Sequence, residues 1–263
     1  RGPDDDGWLT WSHGRIARGK AAKTLSGQML MGHRRLSIID LTASGWQPMS
    51  SQDQRYHLVF NGELYNYIEI RRELQSEGVQ FVSQSDTEVV IEAFRKWGTQ
   101  AFQRFTGMFA FAIFDALKGT VTLVRDPFGI KPLYYCEWEN GLAFSSEIPP
   151  LLTLRGVSRA IDPQHAYDYL QFGITDHSPG TLFRDVKQLR AAEHAVVDVN
   201  NIAPPQCKAY WAATSIARND DISFEEAQGQ LRDRFLENIS LHMRSDVPVG
   251  IALSGGLDSS AIA

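Results

Sequence analysis

Cysteine, clustered positive charge and long apolar runs are all scarce in this sequence. Two cysteines among 263 residues cannot build a disulfide framework, and they favour a reducing cytoplasm. A formal net charge of −5 without a cluster of Lys or Arg argues against nucleic acid as a partner. The longest apolar run, residues 108–114, is far too short to span a bilayer and argues against a membrane protein. The seven histidines show no metal-ligand spacing. The sequence is compatible with a homodimer.

What is present is the composition of a globular protein, with 43% hydrophobic and 22% charged residues. Short β-like runs alternate with amphipathic helices through the N-terminal half. Several of these runs are apolar on both faces, so we expect sheets that are covered on both sides. The predicted strands cover residues 28–31, 36–40, 56–60, 109–114, 121–125, 133–137 and 142–145.

Helix starts are indicated by polar cap residues at four places. Three of them have the capping-box pattern, in which the cap residue is followed by Glu three positions later. A fourth start combines an acidic cap with proline at the first helical position. The cap residues are Asn66, Ser85 and Ser223 for the capping boxes and Asp162 for the proline start.

The C-terminal end carries the most specific pattern. An apolar run at residues 249–253, predicted to be a strand, leads into Ser-Gly-Gly and a helix start. Backbone N–H groups and the positive end of a helix converge at such a turn and attract anions. No Gly-Lys-Ser/Thr follows, so the turn is not a Walker A loop; an ordinary glycine turn is the alternative. The residues offered to a phosphate group are Leu253, Ser254, Gly255, Gly256, Asp258 and Ser259.

The pattern loosens at residues 199–221, where Asn-Asn, Pro-Pro and charged residues accumulate. We interpret this stretch as a linker. The predicted division is a first domain at residues 1–200 and a linker with the start of a second domain at residues 201–263. The second part cannot close a parallel sheet by itself, because its single predicted strand has no neighbours.

Four segments of the first domain predict a site for a small zwitterion, and one of them is the rigid turn at residues 1–4. Arg35 lies beside a β-like run, Asn61-Gly62 follows the predicted strand at a sharp turn, and Asp86 stands at a helix start. Each has a simpler alternative. Asn-Gly is a common hairpin turn, Asp86 could cap its helix, and Arg35 could form a surface ion pair.

Taken together, the motifs of the chain resemble class II glutamine amidotransferases, specifically the asparagine synthetase family. The resemblance covers nearly the whole sequence, in the family's order. Its final motif, Ser-Gly-Gly-Leu-Asp-Ser, resembles the pyrophosphate loop of ATP pyrophosphatases. The matching motifs occupy residues 1–4, 32–40, 60–66, 85–88, 107–112, 125–135 and 254–259.

The resemblance implies an α+β fold, the N-terminal-nucleophile αββα sandwich of two antiparallel sheets, followed by part of an α/β pyrophosphatase-loop domain. It also implies roles for individual residues. Arg35 would hold the glutamine carboxylate with its planar fork, and Asp86 would pair with the ammonium group. The Asn61 side chain and the Gly62 N–H would form the oxyanion hole. The remaining residues of the implied substrate site are Ile38, Ile39 and Glu63.

The implied activity is that of an ATP-dependent carbon–nitrogen ligase with glutamine as amido donor. Glutamine hydrolysis supplies ammonia to aspartate activated by ATP and Mg²⁺, with Asp258 as a metal ligand, and gives asparagine, AMP and pyrophosphate. The substrates are thus glutamine, aspartate and ATP. One alternative is another glutamine-dependent amide ligase of the same architecture. The other is a silent scaffold or glutamine-sensing domain.

The largest departure from the family is an absence, since the family's nucleophile is an N-terminal cysteine and this chain begins at Arg1. Smaller departures lie at residues 189–194, where the family usually has a Pro-Pro-Gly turn, and at residues 147–149, where proline replaces a lysine. Cys136 lies in an apolar run and Cys207 in the predicted linker, so neither is expected to replace it. Both ends of the chain break inside motifs. We therefore expect a fragment that is inactive alone.

Overall fold

A computed structural model describes residues 2–20 and 25–263 of the chain. The six helices are α1 (Tyr67–Ser76), α2 (Asp86–Trp97), α3 (Ile148–Leu151), α4 (Pro163–Phe172), α5 (Phe224–His242) and α6 (Leu257–Ile262). The strands of these residues are β1 (Asp5–Ser12), β2 (Arg15–Gly19), β3 (Met29–Arg35), β4 (Met49–Ser50), β5 (Tyr56–Leu64), β6 (Gly107–Asp115), β7 (Thr120–Arg125), β8 (Tyr134–Trp138), β9 (Gly141–Ser145), β10 (Val186–Gln188), β11 (Glu193–Asp198) and β12 (Gln206–Ala209).

A six-stranded antiparallel sheet, ordered β12-β11-β7-β6-β5-β4, forms the centre of the fold. Its strand β6 is apolar on both faces because both faces are covered. Phe109, Phe111 and Ile113 pack toward α1 and α2. Ala110 and Phe114 point to the opposite side and pack against β1 and β3. The prediction of sheets covered on both sides is confirmed.

Two three-stranded sheets, β2-β1-β3 and β10-β8-β9, complete the described sheets. The first packs on the central sheet, and α3 packs on the second through Leu151, Cys136 and Val186. The layers are therefore helix, sheet, sheet and helix. The predicted α+β sandwich of antiparallel sheets is confirmed, with its second sheet layer divided in two.

The structure shows which of the four predicted helix caps are formed. Ser223 and Glu226 make the complete capping box of α5, and Asp162 caps α4 with Pro163 at the first turn. Ser85 caps α2, but the Glu88 carboxylate instead accepts hydrogen bonds from the N–H groups of residues 82 and 83. Asn66 precedes α1 as its N-cap residue, as predicted, but it makes no capping-box hydrogen bond, since its side chain bonds residues 104 and 106.

Two predicted strands are not formed. Residues 36–40 make a loop, because the partner strand β1 pairs with β3 only as far as Arg35 and Asp40 has a left-handed φ of 57°. Residues 249–253 are also not a strand, since no strand pairs with them within the described chain. A lone strand leaves its backbone groups unpaired and is not stable.

The predicted linker begins too early. Strand β12 lies inside residues 199–221 and pairs with β11 at the edge of the central sheet. Tyr210 follows it, is buried, and donates a hydrogen bond from its hydroxyl to the Arg125 carbonyl at 2.6 Å. The looser composition of this stretch reflects an edge strand. The domain division itself stays a prediction.

None of the helices in residues 2–20 and 25–263 is long and apolar enough to cross a membrane.

Candidate functional site

A pocket of about 210 Å³ opens where β3, β5 and the start of α2 meet. All seven residues expected from the sequence to bind substrate line it: Arg35, Ile38, Ile39, Asn61, Gly62, Glu63 and Asp86. The structure thus brings together the groups of the first domain, which are far apart in the sequence. Arg1 lies outside the described residues, whereas Gly2 of the same motif lines the pocket.

The Asn61-Gly62-Glu63 segment is part of β5, which continues to Leu64 opposite β6. The predicted sharp turn at this place is wrong. Gly62 has a φ of 154°, and a Cβ there would lie 2.0 Å from the Met108 carbonyl oxygen. The closeness of β6 therefore requires glycine. One hydrogen of the Asn61 side-chain amide goes to the Ser146 hydroxyl at 3.2 Å, which fixes the amide beside the pocket.

Arg35 is only 6% exposed, which rules out a surface ion pair. Its guanidinium donates to the backbone carbonyls of Ile39, Asp40 and Thr42. Of the five N–H donors of an arginine, these bonds engage both Nη2 hydrogens and one on Nη1. Arg35 therefore shapes the loop that borders the pocket, and its role with a carboxylate stays a prediction.

Asp86 is the first residue of α2 and is 5% exposed. Burial raises the pKa of its carboxyl to about 6, although a hydrogen bond from the Leu64 N–H counters the shift. That N–H lies 2.9 Å from Oδ2. Because the Ser85 side chain caps α2, the helix does not need Asp86 as its cap. A carboxylate held in a low-dielectric wall binds a cation strongly.

The structure adds pocket residues that sequence reasoning missed. Lys131 follows a turn held by the Asp126 carboxylate and brings a second cation to the wall. Burial and the Arg35 charge lower the pKa of His33 to about 4, so its imidazole is neutral near pH 7. Burial raises the pKa of Glu63, and the Lys131 charge opposes this. No periodicity in the sequence marks Lys131 or His33 as pocket residues, since they reach the pocket only through the fold.

Gln47 was also missed, and it joins two walls of the pocket. Its Oε1 accepts a hydrogen bond from the Phe60 N–H at 2.7 Å, and its Nε2 lies 3.4 Å from the Thr87 hydroxyl. The side chain is buried. It therefore ties β5 to α2 directly behind the polar residues of the site.

Neither cysteine lies at the pocket. Cys136 is buried in the small core of β8 and β10, and Cys207 stands on the edge strand β12. Burial raises the pKa of both thiols, so neither is an activated thiolate. The expectation that they are not nucleophiles agrees with these positions.

The phosphate-loop residues form an exposed turn away from the pocket. Gly255 has a φ of 77° and open space around its Cα, and Gly256 is the cap of α6. The Ser254 hydroxyl lies 3.0 Å from that of Ser259. No group of three or more His, Cys, Asp or Glu side chains in the described ranges is arranged to hold a metal. Leu253 and Asp258 are exposed beside the turn.

The solved structure of the glutamine phosphoribosylpyrophosphate amidotransferase of Bacillus subtilis shares this fold. The alignment covers 80% of the present chain and 44% of that one, with a TM-score of 0.56 and 18% identity. At this level of identity, the likeness concerns the fold alone. A sequence model of the glutamine amidotransferase domain matches residues 1–211, and the chain belongs to this family. A model of asparagine synthase matches residues 230–263.

Curated relatives align over the whole chain. Asparagine synthetase [glutamine-hydrolyzing] 1 of Bacillus subtilis is 36% identical and covers 100% of the chain. A Mycobacterium bovis protein, provisionally named asparagine synthetase [glutamine-hydrolyzing], is 39% identical over 278 residues. The amidase chyE of Penicillium rubens is 35% identical over 89% of the chain. The chain spans 40%, 38% and 34% of the Mycobacterium, Bacillus and Penicillium relatives, respectively.

Proposed function

We propose that the chain is the glutamine-hydrolysing part, with the beginning of the nucleotide-binding part, of a glutamine-dependent asparagine synthetase. Glutamine hydrolysis in the pocket would supply ammonia to an ATP-activated aspartate and give asparagine, AMP and pyrophosphate. The observation that carries the proposal is the pocket itself. It sets a buried carboxylate, cationic side chains and the Asn61-Gly62 pair around a volume of about 210 Å³.

Glutamine would be held by its two charged ends. Asp86 would accept the ammonium group, because its carboxylate is buried and faces the pocket. Arg35 would attract the carboxylate through its positive charge, with Lys131 as a second cation in the same wall. Ile38, Ile39 and Glu63 would complete the substrate site.

The amide bond of glutamine would then be attacked beside Asn61 and Gly62. The Asn61 side-chain amide and the Gly62 N–H are proposed to stabilise the oxyanion of the tetrahedral intermediate. Both belong to β5, and β6 and Ser146 hold them in place. In the family that the sequence resembles, an N-terminal cysteine is the nucleophile, and Cys136 and Cys207 are far from this position.

The nucleotide half of the reaction is proposed for the C-terminal turn. Leu253, Ser254, Gly255, Gly256 and Ser259 would cradle the ATP phosphates, and the exposed geometry of Gly255 allows a close approach. Asp258 offers the hard oxygen ligand that Mg²⁺ prefers, and phosphate oxygens would supply others. We also propose a cytoplasmic location, which both free cysteines favour.

The proposal is tested by separating the two half-reactions in the protein expressed from its complete reading frame. Asp258→Ala should abolish ATP–pyrophosphate exchange and leave glutamine hydrolysis measurable. Unchanged exchange would reject the metal role of Asp258. A wild-type protein that hydrolyses no glutamine would reject the proposed function and favour a silent scaffold or glutamine sensor.

A second candidate is another glutamine-dependent amide ligase of the same architecture. It is favoured by the similarity to the amidase chyE of Penicillium rubens. Product analysis with glutamine, ATP and either aspartate or other carboxylic acids distinguishes the two. Asparagine formed from aspartate supports the synthetase, whereas an amide formed only from another acid supports the alternative.

A further inference from the structure

The segment between α5 and the phosphate loop docks on the glutamine pocket from outside. The two Nη atoms of Arg244 donate to the two carboxylate oxygens of Glu69 at 2.6 and 2.7 Å. Its Nη1 also donates to the Tyr65 carbonyl at 2.7 Å. The ring of His242 lies 4.0 Å from the ring of Tyr65, measured between centroids. This segment, residues 242–246, is therefore fixed against the end of β5 and the start of α1.

Asp246 is the member of the segment that reaches the wall of the pocket. Its N–H donates to the Ile38 carbonyl at 3.0 Å. Its Oδ2 accepts a hydrogen bond from the Asp40 N–H at 2.8 Å. The two bonds hold the turn formed by residues 38–40 at both of its ends.

The turn held by Asp246 is connected to both charged groups of the site. The Asp40 carbonyl accepts a hydrogen bond from the Arg35 guanidinium. The Asp40 carboxylate accepts one from the Gln84 N–H at 2.9 Å, two residues before Asp86. Because Ile38 and Ile39 line the pocket, a shift of this turn changes the space and the donors offered to a ligand.

We infer that Asp246 is a positioning residue for the glutamine pocket, acting through the turn of residues 38–40. This inference rests on the proposed function. Only residues 247–252 separate Asp246 from the phosphate loop, so one short segment touches both candidate sites. Asp246 is not among the residues that line the pocket, so its effect on glutamine binding is indirect and passes through the turn.

The test uses Asp246→Ala in the protein expressed from its complete reading frame. Losing the acceptor for the Asp40 N–H should raise the KM for glutamine by about three- to tenfold, with little change in the kcat of glutamine hydrolysis. Ammonia-dependent synthesis should keep its wild-type rate. Asp246→Asn should restore the wild-type KM, because an amide oxygen accepts the same hydrogen bond.

The control is Asp233→Ala, which removes the same charge from an exposed position on α5 and should leave the KM unchanged. An unchanged KM in Asp246→Ala would overturn the inference. So would an equal fall in the ammonia-dependent rate, because that would show a general structural role. Equal effects of the Asn and Ala variants would also overturn it.

Amide hydrogen exchange gives a second measurement that does not depend on activity. The Asp40 amide should exchange faster in Asp246→Ala than in the wild type, whereas Asp246→Asn should protect it. Equal exchange in all three proteins would show that the contact does not hold the turn. If wild-type protein hydrolyses no glutamine but exchange behaves as expected, the proposed function fails while the positioning contact stands.

Discussion

Arg35 and Asp86 carry opposite charges into the wall of one small pocket, and the structure treats them differently. The Arg35 guanidinium is surrounded by backbone carbonyl oxygens, which solvate a cation well. The Asp86 carboxylate accepts hydrogen bonds from the Leu64 N–H and from the Ser85 and Thr87 hydroxyls, yet burial dominates the pKa of its carboxyl. At the scale of single residues, the site therefore has a satisfied cation and a carboxylate that gains from a cationic ligand.

A pH dependence follows for Asp86. Folding raises its pKa from 3.8 to about 6, so the folded state holds the proton more tightly. The contribution of this group to stability is fully present below pH 3.8 and is lost as pH rises through 6. Ammonium binding needs the ionised form, so the KM for glutamine should rise as pH falls below about 6.

Asp86→Asn provides the comparison for this prediction. The variant should bind glutamine weakly at every pH. The melting temperature of the variant minus that of the wild type should increase between pH 5 and pH 8, because only the wild type loses stability as Asp86 ionises. Steady-state kinetics and thermal melts over this range check both parts. A wild-type KM that stays constant down to pH 5 would contradict the assignment of Asp86 to the ammonium group.

The substitution Arg35→Lys tests whether the Arg35 guanidinium binds the carboxylate of glutamine. A single ammonium group cannot reproduce the planar fork, so we expect the KM for glutamine to rise about tenfold or more, equivalent to roughly 1.5–3 kcal/mol for a charge-assisted contact. Ammonia-dependent synthesis should survive in the protein from the complete reading frame. If both rates fell together, the bonds from Arg35 to the loop carbonyls would be its main contribution.

At the scale of elements, strand β5 links the hydrophobic core to the site. Leu58 and Phe60 are buried, and the next residues along the same strand, Asn61 and Gly62, are at the pocket. Pairing with β6 continues through this transition. The position of the proposed oxyanion donors is therefore fixed by the core of the protein.

Gly62→Ala should disturb this arrangement. The added Cβ would lie 2.0 Å from the Met108 carbonyl oxygen and 2.7 Å from the Phe109 Cα, both backbone atoms of β6. We expect a loss of about 1–3 kcal/mol or more in the free energy of unfolding, as for other overpacked sites. Urea denaturation measures it, and glutamine hydrolysis should be lost as well.

Gly78→Ala is the matched control for the strand variant. Gly78 also has a positive φ, 87°, but a Cβ there meets nothing within 4 Å. Only the backbone strain of roughly 1–2 kcal/mol is then expected. If Gly62→Ala were no more destabilising than Gly78→Ala, the close approach of β6 would not be what requires glycine at position 62.

At the scale of the whole molecule, the two candidate sites differ in how complete they are. The pocket lined by Arg35 and Asp86 lies between β3, β5 and α2, whereas the C-terminal glycine turn is exposed and has no sheet beside it in the described residues. The segment of residues 242–246 connects them by hydrogen bonds to the pocket wall. The N-terminal part thus carries the packed core and the C-terminal part carries a separate polar turn.

The 263-residue chain should therefore catalyse neither half-reaction. Its pocket has binding groups, but neither cysteine reaches them, and its phosphate turn is not covered by neighbouring strands. The measurement is ammonia release from glutamine by the purified chain. Turnover above a buffer blank that disappears on mutating Cys136 or Cys207 would show that a cysteine of this chain is the nucleophile.

The sequence by itself determined the elements with local signals and the motifs with fixed spacing. The continuous apolar run of β6, the capping box of α5 and the class II amidotransferase resemblance are local patterns, and the fold class and family inferred from them are confirmed. The roles of the residues expected at the substrate site remain predictions. Their motifs could be read because each is contiguous in the chain.

Only the tertiary structure decided which predicted runs pair and which side chains meet. Residues 36–40 and 249–253 have strand-like composition, but a strand forms only where a neighbour supplies its hydrogen bonds. The continuation of β5 through Gly62 depends on the approach of β6, which no local pattern contains. Likewise Lys131 and Asp246 come to the pocket from distant parts of the chain. Such contacts depend on the packing of whole layers, and a sequence read along its length does not reveal them.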